Sequence, residues 1–133
     1  MKRYFDIDTP LTESTAKEIW DKCNELLKTE GFSTKKLIQR SKVEVICTTD
    51  DPADDLRYHK QLKREGFFTR ILPTFRPDKI VNIDKDEFIH YLEDNGIVSY
   101  DAVVTWIVSK INFFHQNGCR LSDHALEYVP FTV

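Results

Sequence analysis

The sequence predicts an α/β fold with parallel strands, and three observations carry that expectation. Three short apolar runs end in polar tips: Val43 to Cys47 passes into Thr48-Thr49-Asp50-Asp51-Pro52, Phe67 to Leu72 passes through Pro73 into Phe75-Arg76-Pro77-Asp78-Lys79, and Cys119 to Leu121 passes into Ser122-Asp123-His124. Stretches of helical spacing separate the runs, with no two-residue hairpin signal, which calls for parallel pairing through crossovers. All four glycines, Gly31, Gly66, Gly96 and Gly118, stand just past a predicted helix, where a left-handed residue is wanted. Three parallel strands are few for a complete fold, because parallel sheets are covered on both faces and ordinarily have more strands. The chain therefore reads as part of a larger α/β barrel or sheet.

Taken in order, Ala16, Ile19, Trp20, Cys23, Leu26 and Leu27 recur at three and four residues and predict a helix from Thr12, its N-cap, to Thr29. Ser33 is placed to cap a shorter helix carrying Leu37 and Ile38. The β-branched run Val43, Val45, Ile46 is the first strand. Asp51 is a good N-cap with Pro52 at the first helical position, and Asp54 and Asp55 lie where the helix dipole favours acids, so a third helix is expected from there to Gly66. Phe67 to Leu72 is the second strand, and the prolines at 73 and 77 require an extended loop. Asp84 and Glu87 have capping-box spacing and open a helix that runs to Asn95-Gly96. Ser99 opens the longest helix, whose buried stripe is Val104, Ile107, Val108, Ile111 and Phe114, widened by Val103, Trp106 or Phe113. Residues 1–133 are expected to form a single unit, mainly helical over 1–42 and made of strand–helix units over 43–133.

Composition narrows the function. A chain of 133 residues, 41% hydrophobic and 31% charged, is an ordinary globular domain with its own core. No apolar run approaches the roughly 18 residues a membrane helix needs, and Met1-Lys2-Arg3 leads into Asp6 and Asp8 instead of a signal core. The cytoplasm is the expected location. With 22 acids against 19 bases and a net charge of −3, the chain lacks the basic face of a general nucleic-acid binder. Its three cysteines, Cys23, Cys47 and Cys119, have no Cys-x-x-Cys spacing and read as reduced core thiols.

Several residues carry possible chemistry. The acids Asp50, Asp51, Asp54 and Asp55 lack the alternating ligands and central glycine of a calcium loop and fit helix capping better. His59, His90 and His115 lie on helical segments with no zinc-ligand spacing and read as surface or boundary residues. His124 follows a strand end, where a lone histidine is structural more often than catalytic. Arg76, between two turn positions with Phe75 as an apolar wall, suits bidentate capture of a carboxylate or phosphate; the alternative is a pair with Asp78 or another loop acid. Asp123 could accept hydrogen bonds from hydroxyls or take a proton, or it could cap a following helix.

Four stretches together resemble one family. Ile19-Trp20-Asp21-Lys22-Cys23-Asn24-Glu25-Leu26-Leu27, Thr48-Thr49-Asp50-Asp51-Pro52, Leu72-Pro73-Thr74-Phe75-Arg76-Pro77-Asp78-Lys79 and Gly118-Cys119-Arg120-Leu121-Ser122-Asp123-His124-Ala125-Leu126 resemble, in order and spacing, the uronate (glucuronate) isomerases. The resemblance implies part of a distorted (β/α)8 TIM barrel of the amidohydrolase superfamily, with about three parallel strands and about five helices, including added ones. It implies aldose–ketose isomerisation of D-glucuronate to D-fructuronate and of D-galacturonate to D-tagaturonate, the first step of hexuronate breakdown. It carries active-site roles, catalytic and substrate-binding, over to Arg76 and Asp123, and Phe75 stands where many relatives have tryptophan. The family's His-x-His pair and its later histidine, aspartate and arginine have no counterpart here. The chain is accordingly expected to be an internal fragment, inactive alone and without a metal site of its own; the resemblance leaves room for a divalent metal such as zinc in the intact enzyme. The expected partner is a small-molecule hexuronate, with no nucleic acid and no membrane, and the fragment is expected to self-associate through exposed strand edges and apolar residues such as Val45, Ile71 and Leu121. The alternative function is a non-enzymatic carbohydrate-binding or structural module.

Overall fold

In a computed structural model, which describes residues 1–126 and residue 131, the chain divides into two compact units, Met1–Glu44 and Val45–Val133. The first unit is helical. It contains α1 (Lys2–Phe5), α2 (Ala16–Leu27), a 3₁₀ turn over Glu30–Phe32, and α3 (Thr34–Ser41). Helix α2 starts after Thr15, not Thr12, because the hydroxyl of Thr15 turns back to the carbonyl of Pro10 and Thr12 is spent on a turn that precedes the helix. Gly31 sits inside the 3₁₀ turn, without the left-handed backbone expected of it; Lys42, at φ 53°, takes that role after α3. Tyr4 and Arg40 join α1 to α3: the Tyr4 hydroxyl lies 2.8 Å from Ser41 Oγ, and the Arg40 guanidinium donates to the Tyr4 carbonyl.

The second unit holds the sheet. β1 (Val45–Cys47) and β2 (Arg70–Leu72) pair in parallel, Ile46 opposite Ile71, with α4 (Arg57–Arg64) between them in sequence. Helices α5 (Asp78–Val81), α6 (Glu87–Asp94) and α7 (Tyr100–Gln116) follow. Both strands are shorter than predicted. The expected third strand, Cys119 to Leu121, is no strand among the described residues; it leads into a single parallel bridge between Phe75 and Ser122.

Three more expectations are corrected. Asp51 caps no helix: its carboxylate accepts the Ala53 N–H in a local turn, Asp54 and Asp55 do the same for Leu56 and Arg57, and α4 starts only at Arg57. Asx turns of this kind compete directly with helix initiation. The Asp84–Glu87 box is not made, and α6 begins at Glu87. On α7, Ser99 caps as predicted by accepting the Ala102 N–H, but the buried face is turned. Phe114 is buried, whereas Val104, Val108 and Ile111 of the predicted stripe are about half exposed.

Among the described residues, two small cores result. One joins Leu56, Phe75, Phe114 and Cys119; the other joins Ile80, Tyr91 and Ile97, with Trp106 and Ile107 of α7 packed against it. Leu56 is fully buried with a left-handed backbone, φ 55°, a conformation that costs a leucine about 1–2 kcal/mol and is offset by the burial of its side chain. Cys119 is a core thiol, but Cys47 is exposed at the end of β1, contrary to expectation. Among the described residues, no helix is long and apolar enough to cross a membrane.

Candidate functional site

Beyond Cys47 and Leu72 the regular sheet ends, but the backbone stays parallel. Three segments run side by side: the Thr48 N–H donates to the Leu72 carbonyl, the Asp50 N–H to Thr74, the Arg76 N–H back to Asp50, the Phe75 N–H to Leu121, and the Asp123 N–H to Phe75. Asp50, Phe75 and Ser122 are thereby aligned as isolated parallel bridges. The three polar tips that the sequence singled out do share one edge, with the Arg76 segment in the middle. Phe75 anchors that middle segment from the core side by an edge-to-face contact with Phe114, centroids 5.1 Å apart.

On the outer side, Arg76 and Asp123 are in direct contact. Arg76 Nε donates to Asp123 Oδ1 at 3.3 Å and Nη2 to Oδ2 at 2.6 Å, a two-point pair in which each side chain is more than a third exposed. Asp78 lies 3.7 Å from Arg76 Nε and holds His124, whose Nδ1 is 2.9 Å from Asp78 Oδ1, while the Ala125 N–H donates to Oδ2. Burial raises the Asp78 carboxyl pKa, but the Ala125 N–H, the His124 bond and the charges of His124 and Arg76 outweigh it, and the net value is below the usual one. Both readings of Arg76 meet in this geometry. It is ion-paired to a loop acid, Asp123 more closely than Asp78, and it does so through its Nε/Nη2 edge. Its Nη1 atom is the part of the fork that no described residue engages.

Flanking the other side of the segment is a polar cluster that the sequence did not reveal. Asp50 Oδ2 accepts the Thr48 hydroxyl at 2.6 Å and the Thr74 N–H at 3.1 Å, and His59 Nε2 lies 2.7 Å from the same hydroxyl. His59 is therefore the boundary case of the two that were expected; its side chain is 12% exposed. His90 and His115 are exposed as expected. A neighbouring cluster joins Asp51 to the Tyr91 hydroxyl and to Lys79 Nζ at 3.1 Å. Burial raises the Asp51 pKa, yet hydrogen bonds from Tyr91, the Ala53 N–H and Lys79 hold it below the usual carboxylate range; the same burial and the adjacent carboxylate push the Tyr91 phenol up. These pairings span 40 residues or bridge separate elements, and no local spacing signals them. Among the described residues, no group of three or more His, Cys, Asp or Glu side chains could hold a metal ion.

The family model for glucuronate isomerase matches residues 1–133. Curated relatives named uronate isomerase include that of Caldanaerobacter subterraneus subsp. tengcongensis, 46% identical over 97% of this chain and 29% of its own length. That of Geobacillus thermodenitrificans is 39% identical over 98% of this chain and 30% of its own length. Among solved structures, uronate isomerase from Thermotoga maritima matches with a TM-score of 0.84 at 33% identity, covering 97% of this chain and 31% of that one. Glucuronate isomerase from Caulobacter crescentus matches with a TM-score of 0.83 at 22% identity, over 92% and 27%, a likeness of fold alone. The chain thus spans about 30% of the length of the relatives it matches.

Proposed function

The chain belongs to the glucuronate isomerase family, and from that membership we propose that residues 1–133 form part of an aldose–ketose isomerase acting on hexuronates, within a (β/α)8 barrel of which the β1–β2 pair is a portion. The observation that carries the reading is Arg76, held past the end of β2 by Asp123 through Nε and Nη2, with its Nη1 engaged by no described residue. Strand ends are where barrel enzymes gather their binding groups.

In this reading D-glucuronate becomes D-fructuronate, and D-galacturonate becomes D-tagaturonate. A proton leaves C2 while the C1 carbonyl oxygen gains one, giving an enediol; the O2 proton is then lost as C1 takes a proton, leaving a ketone at C2. Such a step needs a base and a polarised carbonyl. Arg76 binds the sugar-acid carboxylate through its Nη1 and Nη2 groups, and Asp123 orients it and meets substrate hydroxyls. The base and any divalent metal, such as zinc, are assigned to the rest of the protein, because the family's His-x-His pair and its later histidine, aspartate and arginine have no counterpart in this sequence. No nucleic acid or membrane enters this reading, and the working compartment is the cytoplasm.

Arg76→Lys tests it. In the full-length protein, replacing the planar fork by a point charge should cost about 2–3 kcal/mol of transition-state binding with glucuronate, the order of a charged hydrogen bond. Unchanged kinetic constants would leave Arg76 as a structural ion pair, and absence of glucuronate turnover by the full-length parent would favour the non-enzymatic module.

Expressed alone, residues 1–133 are proposed to be inactive and to self-associate. Support comes from a hollow of about 480 Å³ between α7 and the segment after Gly118, walled by Val81, Ile111 and Leu121, each about half exposed. Leu121 is open, as expected, while Val45 and Ile71 are half-buried. Sedimentation of the isolated piece as a compact monomer at high concentration, or its turnover of glucuronate, would refute the respective half.

A further inference from the structure

Resting on that reading of Arg76, we infer that Asp50 is a positioning residue of the site, which sets where the Arg76 guanidinium lies by replacing a missing rung of the sheet with its carboxylate. The ladder between the first two segments loses a rung just where the chain leaves β2; Pro73, which has no N–H, stands at the alternate position that faces away from β1. In an uninterrupted parallel ladder the next donor, the Thr74 N–H, would reach the carbonyl of residue 48. Here it donates to Asp50 Oδ2 at 3.1 Å. The backbone of Asp50 grips the same stretch on both sides of Phe75: its N–H donates to the Thr74 carbonyl and its carbonyl accepts the Arg76 N–H, both at 3.0 Å. Three hydrogen bonds from one residue thus span Thr74 to Arg76.

The carboxylate is itself braced. The Thr48 hydroxyl donates to Asp50 Oδ2 at 2.6 Å, so the contact of 2.7 Å between that hydroxyl and His59 Nε2 requires the histidine to donate. His59 belongs to α4, and its Nε2 also lies 3.6 Å from Asp50 Oδ1. A strut therefore runs from the helix through Thr48 and Asp50 into the backbone that carries Arg76. Thr74 is buried, and loss of the acceptor would leave its N–H without a partner, so the segment must move to satisfy it. Movement of Thr74 displaces Arg76, two residues on, from Asp123.

The test uses the full-length protein and the variants Asp50→Ala and Asp50→Asn, each alone and combined with Arg76→Lys. In crystal structures of Asp50→Ala, the guanidinium should be withdrawn from Asp123 by about 1 Å or more, a displacement of the size that degrades an active site. Kinetically, Asp50→Ala should lower kcat/KM for glucuronate by about tenfold to a hundredfold, mostly through KM, with partial rescue in Asp50→Asn, which retains one acceptor oxygen. In the Arg76→Lys background the same change should cost less than about twofold, because two residues acting through one group are not additive. An equal factor in both backgrounds would overturn the inference. If Arg76→Lys alone leaves catalysis intact, the reading of Arg76 falls, and the crystal structure decides the matter of Asp50: an unmoved Arg76–Asp123 pair would overturn it as well. Should Asp50→Ala fail to fold, the expected smaller displacement in Asp50→Asn is read the same way.

Discussion

Two aspartates flank the segment that carries Arg76, and they differ in almost every physical respect. Asp50 is nearly buried, its side chain 11% exposed, and it spends its carboxylate on a hydroxyl and a backbone N–H. Asp123 is 39% exposed and spends its carboxylate on the guanidinium. One acid fixes the backbone, and the other holds the charge that a ligand would meet. The difference teaches that a carboxylate in a binding site can serve geometry or exchange, and that burial separates the two uses: a buried acceptor cannot leave its donor unpaired, whereas an exposed one can yield its partner to a ligand and water.

The most damaging way to break the comparison is to remove what both sides rest on. Phe114→Ala takes away the ring on which Phe75 is seated and should destabilise the protein by about 3–5 kcal/mol, the range for a buried phenylalanine, measured by urea unfolding. A loss below about 1 kcal/mol would show that the segment does not depend on that contact. The next test separates the acids by stability alone. Asp50→Ala should cost about 1–3 kcal/mol by stranding the Thr74 N–H, while Asp123→Ala should cost at most about 1 kcal/mol, as exposed ion pairs do. Equal losses would erase the distinction.

The smallest effect concerns their neighbours. Asp51 beside Asp50 and Asp78 beside Arg76 both have folded pKa values below the ordinary 3.8. Their stabilisation is therefore complete above 3.8 and is lost as the pH falls through the lowered folded values. Asp51→Asn should be less stable than the parent at neutral pH, and the gap in urea midpoint should close on acidification below that value. A gap independent of pH would show that the Asp51 charge contributes nothing.

Much of this architecture was legible in the residues. Ser99 announced the start of α7, and Gly66, Gly96 and Gly118, all with positive φ, marked helix ends. That Arg76 and Asp123 come to one edge was legible because each follows a strand-like run, and the run decides where the chain leaves the core. The misses have a common cause. Asp51 has the sequence of a helix cap, but Tyr91 and Lys79 from distant elements compete for its carboxylate, and Ala53 completes a turn. His59 reads as a surface or boundary residue, and its contact with Thr48, 11 positions away, has no signal in the spacing. The third strand failed because a run of three residues with Arg120 at its centre can begin a pairing without the partners to extend it. On α7 the apolar residues cover more of the circumference than one neighbour can bury, so periodicity alone could not choose between the faces at Phe114 and at Val108.

The parallel alignment of Asp50, Phe75 and Ser122 constrains chain length as well as residue identity. Along an extended segment successive side chains alternate, which is why Phe75 turns to Phe114 while Arg76 turns to Asp123. Deleting or inserting one residue between Leu72 and Arg76 would exchange those directions, driving a guanidinium toward the phenylalanine core and presenting a ring to the ligand side. The turns over 82–86 have no such parity to keep. A single-residue insertion scan should find the four positions after Leu72 intolerant and those turns permissive, because the count of residues after the proline decides which side chain meets Phe114 and which meets Asp123.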